Sequence, residues 1–184
     1  MAYPSKTNRE AILSLAVAIV EKDGLQGLSL RALAATLEVA PNALYRYFPN
    51  RSVLEAAIAG EVSRRLWNEM ERGIRTDDPR QVIRDIARSY LAFARRQPHL
   101  YEILLRPCGN LPEGTDSEEN LWDFVVRNVA ALTGPRQAGE AAGALWAFLH
   151  GMAQLGDVKN LEKPEASFEF GLNAWLAKSG SEEM

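Results

Sequence analysis

Apolar residues along this chain recur three and four positions apart in one segment after another, the spacing that lines one face of a helix. Ile12, Leu13, Ala16, Ile19 and Val20 make the first stripe. Thr7 with Glu10 forms a capping box before it, and Asp23-Gly24 ends it. Leu30, Leu33, Ala34 and Leu37 make a second stripe, with Ser29 as its N-cap. Glu38, Val39 and Ala40 then form a turn. Pro41 suits a first helical position, and Asn42 to Phe48 give two helical turns before Pro49 stops them. The next helix starts from Asn50 or from a Ser52/Glu55 capping box. Its residues Leu54, Ile58, Val62, Leu66 and Met70 recur every four positions up to Gly73, which predicts a helix of more than twenty residues, roughly 30 Å long. That length carries the chain from a first domain, residues 1–50, into a second, residues 51–184.

The second domain continues in the same period, so the whole chain is predicted to be all-α. Asp78-Pro79 opens a fifth helix with Val82, Ile83, Ile86, Ala87, Tyr90 and Leu91 on one side, and Pro98 interrupts it. A short sixth helix follows to about Arg106, then a loop of Pro, Gly and acidic residues from Pro107 to Ser117. Ser117 or a residue near it caps a seventh helix whose inward residues are Leu121, Trp122, Val125, Val126, Val129 and Leu132, ending at Gly134-Pro135. The eighth, Arg136 to Leu155, is apolar nearly all round from Ala141 to Leu149, which predicts burial on every side. Gly139, Gly143 and Ala147 recur at intervals of four, so another helix can approach that face closely. A ninth helix, Pro164 to Lys178, presents Phe168, Leu172, Trp175 and Leu176.

Composition narrows the function classes. Of the 184 residues 47% are hydrophobic, enough for a real core. The net charge of −3 hides an asymmetry: residues 1–65 carry 8 Lys/Arg against 6 Asp/Glu, and the rest 13 against 18, giving +2 and −5. That fits nucleic-acid contact at one end only. One cysteine, Cys108, rules out an intrachain disulfide and fits a reducing, cytoplasmic setting. No signal peptide and no 18-residue apolar run is present, so neither secretion nor membrane insertion is expected. His99, His150 and Cys108 have no metal-ligand spacing and no nucleophile stands beside a base, so no metal, cofactor, catalytic residue or enzyme activity is expected.

The segment from Leu28 to Arg51 carries the chemistry. Its second helix is polar for a core element: Asn42, Tyr45, Arg46 and Tyr47 accompany only Ala43, Leu44 and Phe48. Asn and Arg can bond base edges bidentately, and Tyr and Arg can hold phosphates, so the helix reads as a DNA recognition helix. An ordinary helical hairpin with a solvated face fits the same composition.

The residues also resemble a family. G-L-x-x-L-S-L-R-x-L-A from Gly24, followed by L-Y-x-Y-F-x-N-R ending at Arg51, is similar to the pattern of tetracycline-repressor (TetR) family transcription regulators, over about residues 7–55. Glu38 departs from it, standing where the family usually has Gly in a left-handed turn; keeping that geometry would cost about 1 kcal/mol. The resemblance implies a helix-turn-helix domain followed by a larger effector-binding and dimerisation domain. It carries DNA contact to Ser29, Arg31, Pro41, Asn42, Ala43, Tyr45, Arg46, Tyr47 and Arg51. Within that set, Tyr45 and Arg51 would hold phosphates, and Asn42 and Arg46 would read bases.

In the family the last two helices pair with their copies, which here implies a homodimer interface of Leu145, Phe148, Leu149, Met152, Phe168, Leu172 and Trp175. A two-fold dimer reads a near-palindromic double-stranded operator in successive major grooves. The second domain is also rich in aromatic and soft side chains, so a small-molecule effector pocket is expected from Trp67, Met70, Tyr90, Phe93, Tyr101, Trp122, Phe124, Trp146 and His150. Few charges lie on the inward stripes, which favours an apolar or amphipathic effector. The expected function is a repressor that such an effector releases. The alternative is a constitutive or partner-controlled DNA-binding protein, with the acidic stretch Pro112 to Glu119 as the partner surface.

Overall fold

The computed structural model describes residues 8–105, 120–155 and 163–179, and among these it contains helices and no strand. The contacts divide them into two compact units. The first holds residues 8–63 and 97–105; the second holds 64–96 with the later helices.

In the first unit, α1 (Arg9–Asp23) starts from Asn8, whose side-chain oxygen accepts from the Ala11 N–H at 2.7 Å. The expected cap, Thr7, lies outside the described residues. A 3-10 turn, Leu25–Gly27, leads to α2 (Leu30–Thr36), where the Ser29 hydroxyl oxygen accepts from the Ala32 N–H at 3.4 Å as anticipated. Glu38 then takes φ 54, the left-handed value the turn demands, and the Val39 N–H closes onto the Ala34 carbonyl at 3.0 Å. α3 runs only Pro41–Tyr45, shorter than the spacing predicts, although the Phe48 N–H still bonds the Leu44 carbonyl at 2.9 Å. α4 (Arg51–Gly73) is capped by Asn50, which accepts from the Val53 N–H at 2.9 Å, and not by Ser52. α5 (Pro79–Arg96) belongs to the second unit, while α6 (Pro98–Leu104) packs on α1.

Ile12, Leu33, Leu44, Phe48, Leu54 and Leu100 are fully buried and make the core of this unit. Each contributes about 1.5 to 3 kcal/mol of transfer free energy. Because α3 supplies two of them from five helical residues and the turn that follows, its position depends on packing more than on its own helical bonds.

The second unit takes the end of α4, α5, α7 (Leu121–Thr133), α8 (Ala138–Leu155) and α9 (Pro164–Ser179). α5 packs on α7 and α8, α7 on α8, and α8 on α9. The predicted stripe of α5 is buried throughout, with Phe93 and Ala94 added. α7 differs in phase. Its cap is Asn120, in a reciprocal capping box with Asp123, and Ser117 falls outside the described residues. Phe124 and Val129 are its buried residues, whereas Trp122 is 43% exposed. Two positions apart on a helix is nearly opposite, so with Phe124 inward Trp122 must face out.

α9 is bolted to α5 by an arginine ladder one turn apart. Arg80 donates to the Leu176 carbonyl at 3.1 Å, Arg84 to Asn173 at 2.5 Å and to Glu169 at 3.5 Å, and Arg88 to Glu169 at 3.0 Å. Against α8, the Trp175 indole donates to the Ala141 carbonyl at 3.2 Å, and a Cβ on Gly171 would run into the Phe148 ring.

Candidate functional site

α3 divides its side chains by depth. Leu44 and Phe48 have no exposed surface, while Asn42 and Arg46 are exposed and Tyr45 is 47% exposed. Pro41 is exposed; Ala43 and Tyr47 are half-buried, and Tyr47 has a partner of its own. Among the described residues the side chains of Asn42 and Arg46 make no hydrogen bond or ion pair, so their donors and acceptors point at water. Arg46 at the end of α3 and Asn42 at its start are thus held outward by the burial of Leu44 and Phe48 between and beyond them. Arg9, which the sequence reading passed over, lies with its guanidinium 5.1 Å from the Phe48 ring centroid, adding a cation at the start of α1.

Beside α3 lies a surface cleft of about 370 Å³ lined by Leu28, Ser29, Leu30, Arg31, Tyr45, Arg51 and Leu54. Ser29 is occupied as the cap of α2, and Arg31 is exposed. Arg51, the expected phosphate contact, makes three bonds within the chain. Its Nη1 donates to the Leu28 carbonyl at 3.1 Å, its Nη2 to the Leu25 carbonyl at 2.9 Å, and its Nε to Glu55 Oε1 at 2.6 Å. All three nitrogens are engaged within the chain.

The residues expected at an effector pocket separate into groups. Trp67, Met70, Tyr90, Phe93 and Phe124 lie in the second unit, Met70, Tyr90, Phe93 and Phe124 fully or nearly buried, with Trp67 and Phe124 ring centroids 5.8 Å apart. Among the described residues the buried Trp67 Nε1 has no hydrogen-bond partner. Tyr101 is buried on α6, in the first unit. Trp122 and Trp146 are 43% and 48% exposed, and His150 stacks on Trp146 at 5.5 Å, so these three stand apart from the buried aromatic group.

The side chains expected at a dimer interface are largely spent inside the chain. Leu145, Leu149, Met152, Phe168 and Leu172 are buried in the unit's own core, Phe148 stacks on Phe168 at 6.3 Å, and Trp175 bonds α8. The outward faces carry other residues: Gly139, Gly143 and Gly151 on α8, where an added Cβ would meet nothing within 4 Å among the described residues, and on α9 Phe170, 80% exposed.

Residues 83–175 match the family model described as tetracyclin repressor-like, C-terminal domain, and residues 12–58 match that of bacterial regulatory proteins, tetR family. The chain belongs to the TetR family of transcriptional regulators. Its fold, all-helical with an N-terminal helix-turn-helix and a helical C-terminal domain, is that of the family, whose members are DNA-binding regulators. Among TetR-family relatives, the HTH-type transcriptional repressor DrrR1 of Streptomyces coeruleorubidus is 33% identical over 94 residues, which cover 51% of this chain and 34% of that protein. The chain thus matches about a third of the length of that relative. Two solved structures share the fold. A singly substituted TetR from Acinetobacter baumannii AYE, in complex with minocycline, is 22% identical at a TM-score of 0.67, covering 94% of this chain and 96% of that one. BioQ with its natural double-stranded DNA operator is 20% identical at 0.67, covering 95% and 99%. No helix among the described residues is long and apolar enough to cross a membrane.

Proposed function

We propose that this TetR-family chain is a repressor that binds a near-palindromic double-stranded operator as a homodimer and leaves it when a small, largely apolar effector enters the second unit. The observation that carries the DNA reading is the division of α3: Leu44 and Phe48 anchor it, and Asn42, Tyr45 and Arg46 face outward. In this reading Arg46 and Asn42 bond base edges in the major groove, while Arg31 and Tyr45, on the rim of the cleft, take phosphates. The operator in the BioQ structure supports the same mode of docking.

The homodimer forms through the outward faces of α8 and α9. Gly139, Gly143, Ala147 and Gly151 leave a shallow lane into which a second helix fits, and Phe170 and Trp146 supply exposed apolar surface beside it. The effector sits against Trp67, Phe93 and Phe124. There the unpartnered Trp67 Nε1 favours a molecule with one acceptor on an apolar frame, since an unmade buried bond costs about 1 to 3 kcal/mol. The Acinetobacter TetR, of the same fold, holds minocycline, which supports a small-molecule effector. Release follows when the ligand favours a conformation whose two recognition helices no longer match the groove spacing.

The test is selection of duplexes from a random-sequence pool by the purified chain, then displacement from the selected duplex by a panel of drugs, aromatic acids, acyl chains, sugars and phosphorylated metabolites. A two-fold consensus released only by the apolar compounds supports the proposal. A consensus that no compound releases favours the constitutive or partner-controlled reading, and no enrichment at all refutes the DNA assignment for this chain.

A further inference from the structure

Leu28 and Arg51 lie 23 positions apart, and between them runs the whole helix-turn-helix: Ser29, α2, the Glu38 turn and α3. One side chain joins the two ends. The Arg51 guanidinium bonds the carbonyl of Leu28, the residue before the N-cap of α2, and the carbonyl of Leu25 in the 3-10 turn. Glu55, one turn further along α4, holds the Nε and fixes the plane of the group. We propose that Arg51 is a positioning residue that staples the recognition hairpin to α4 and sets the aim of α3, and that it does not serve as a phosphate contact. The consequence for DNA rests on the function proposed above; the staple itself does not.

Three features carry this. The carbonyl of Leu25 already accepts from the Leu28 N–H at 3.2 Å, so the guanidinium completes its bonding and locks the turn between them. Leu28 is 2% exposed, and its bond to Arg51 is partly screened from water, where a charge-assisted bond is stronger. The charge is also balanced on the spot. A phosphate approaching Arg51 would meet the Glu55 carboxylate 2.6 Å from Nε, whereas Arg31 on the same cleft has no ion-pair partner among the described residues. The chemistry requires arginine. A planar fork can serve two carbonyls and a carboxylate at once, and an ammonium, as a single point donor on a flexible stem, cannot hold that plane.

The experiment compares the unsubstituted chain with Arg51→Lys, Arg51→Ala and, as the phosphate control, Arg31→Ala. Affinity is measured for the duplex the unsubstituted chain selects from a random pool and for a scrambled duplex, across a salt series, with amide hydrogen exchange on the free proteins. Both Arg51 variants are expected to lose discrimination about ten-fold or more. Their salt slope should stay within about 0.3 of the starting value, while Arg31→Ala lowers it by about 0.9. Amides of Ala32 to Thr36 should exchange about ten-fold faster in both Arg51 variants.

Arg51→Lys keeps the charge and is mild enough to fold, so its failure to restore discrimination is the decisive arm. The proposal is overturned if Arg51→Ala lowers the slope by about 0.9 with discrimination intact, or if Lys restores both. Unchanged exchange in α2 overturns the staple, and faster exchange with unchanged discrimination overturns its role in aiming α3. If the unsubstituted chain enriches no sequence, the DNA reading fails, and the exchange arm still decides the staple.

Discussion

Glu38 is the one non-glycine among the described residues with a positive φ, 54°, and it stands in the turn between α2 and α3. Its side chain is exposed, so nothing in the packing requires a glutamate there. The left-handed conformation costs an L-residue roughly 1 to 2 kcal/mol because its Cβ crowds the following carbonyl oxygen. Glycine has no such clash but loses about 0.5 to 1 kcal/mol more backbone entropy on folding. Glu38→Gly is therefore expected to stabilise the chain by about 0.5 to 1 kcal/mol. For a chain of this length that is a rise of roughly 1 to 4 °C in Tm.

The assay is urea and thermal unfolding followed by circular dichroism, with Glu38→Ala and Glu38→Gln as controls. Alanine keeps the Cβ and so keeps the strain; glutamine keeps the strain and removes only the charge. Both should fall short of glycine by about 0.5 to 1 kcal/mol. If alanine or glutamine matches glycine, the gain comes from the lost carboxylate and the backbone argument is refuted. If glycine gives no gain, the turn holds Glu38 through some contact that offsets its conformation.

Three further outcomes are expected. Gly171→Ala should destabilise the second unit by about 1 to 3 kcal/mol, measured by urea unfolding, because its Cβ meets the Phe148 ring where α8 and α9 touch; a neutral result would show that the ring swings away freely. A double-mutant cycle on Arg88 and Glu169 should give a coupling of only about 0.2 to 1 kcal/mol, since their side chains are 54% and 41% exposed; a larger value would mean that the ladder acts as a unit. Phe170→Glu should leave the folded chain unchanged, the side chain being 80% exposed, while sedimentation shows monomer in place of dimer; a normal dimer from this variant would remove α9 from the proposed interface.

Where one face of a helix is apolar and the other polar, the sequence determines its phase. Every residue of the predicted stripes of α4 and α5 is buried, with Ala59, Phe93 and Ala94 added, because charges occupy the opposite side. α7 could not be phased this way. Leu121, Trp122, Phe124, Val125 and Val126 place apolar groups nearly all round its first turns, and the choice of Phe124 over Trp122 is made by packing against α5 and α8. The same contrast holds in the DNA-binding unit. Leu44 and Phe48 are legible as inward because they are four apart in a polar helix. The partners of Arg51 were not legible, since two of them are backbone carbonyls, 23 and 26 positions earlier, and any residue type presents a carbonyl.

The sharpest limit is α8, because a helix apolar all round offers no preferred face and the bulky side chains draw attention. Leu145, Leu149 and Met152 turn inward, where their size fills the unit's own core, and the face left outside is built from small residues. Glycine appears on both sides for opposite reasons. At Gly171 the neighbouring ring leaves no room for a Cβ; at Gly139, Gly143 and Gly151 there is room and nothing to fill it among the described residues. Gly143 and Gly151, inside the helix, each cost about 1 kcal/mol relative to alanine and Gly139, in its first turn, less, and an added Cβ at any of them would meet nothing within 4 Å among the described residues. Such a deficit along one open lane of α8, in a unit whose α9 also leaves Phe170 80% exposed, fits the proposed interface, at which a second backbone would come close. The size of a side chain told where the core is; the absence of one at Gly139 and Gly143, four apart, is the feature the proposed homodimer would use.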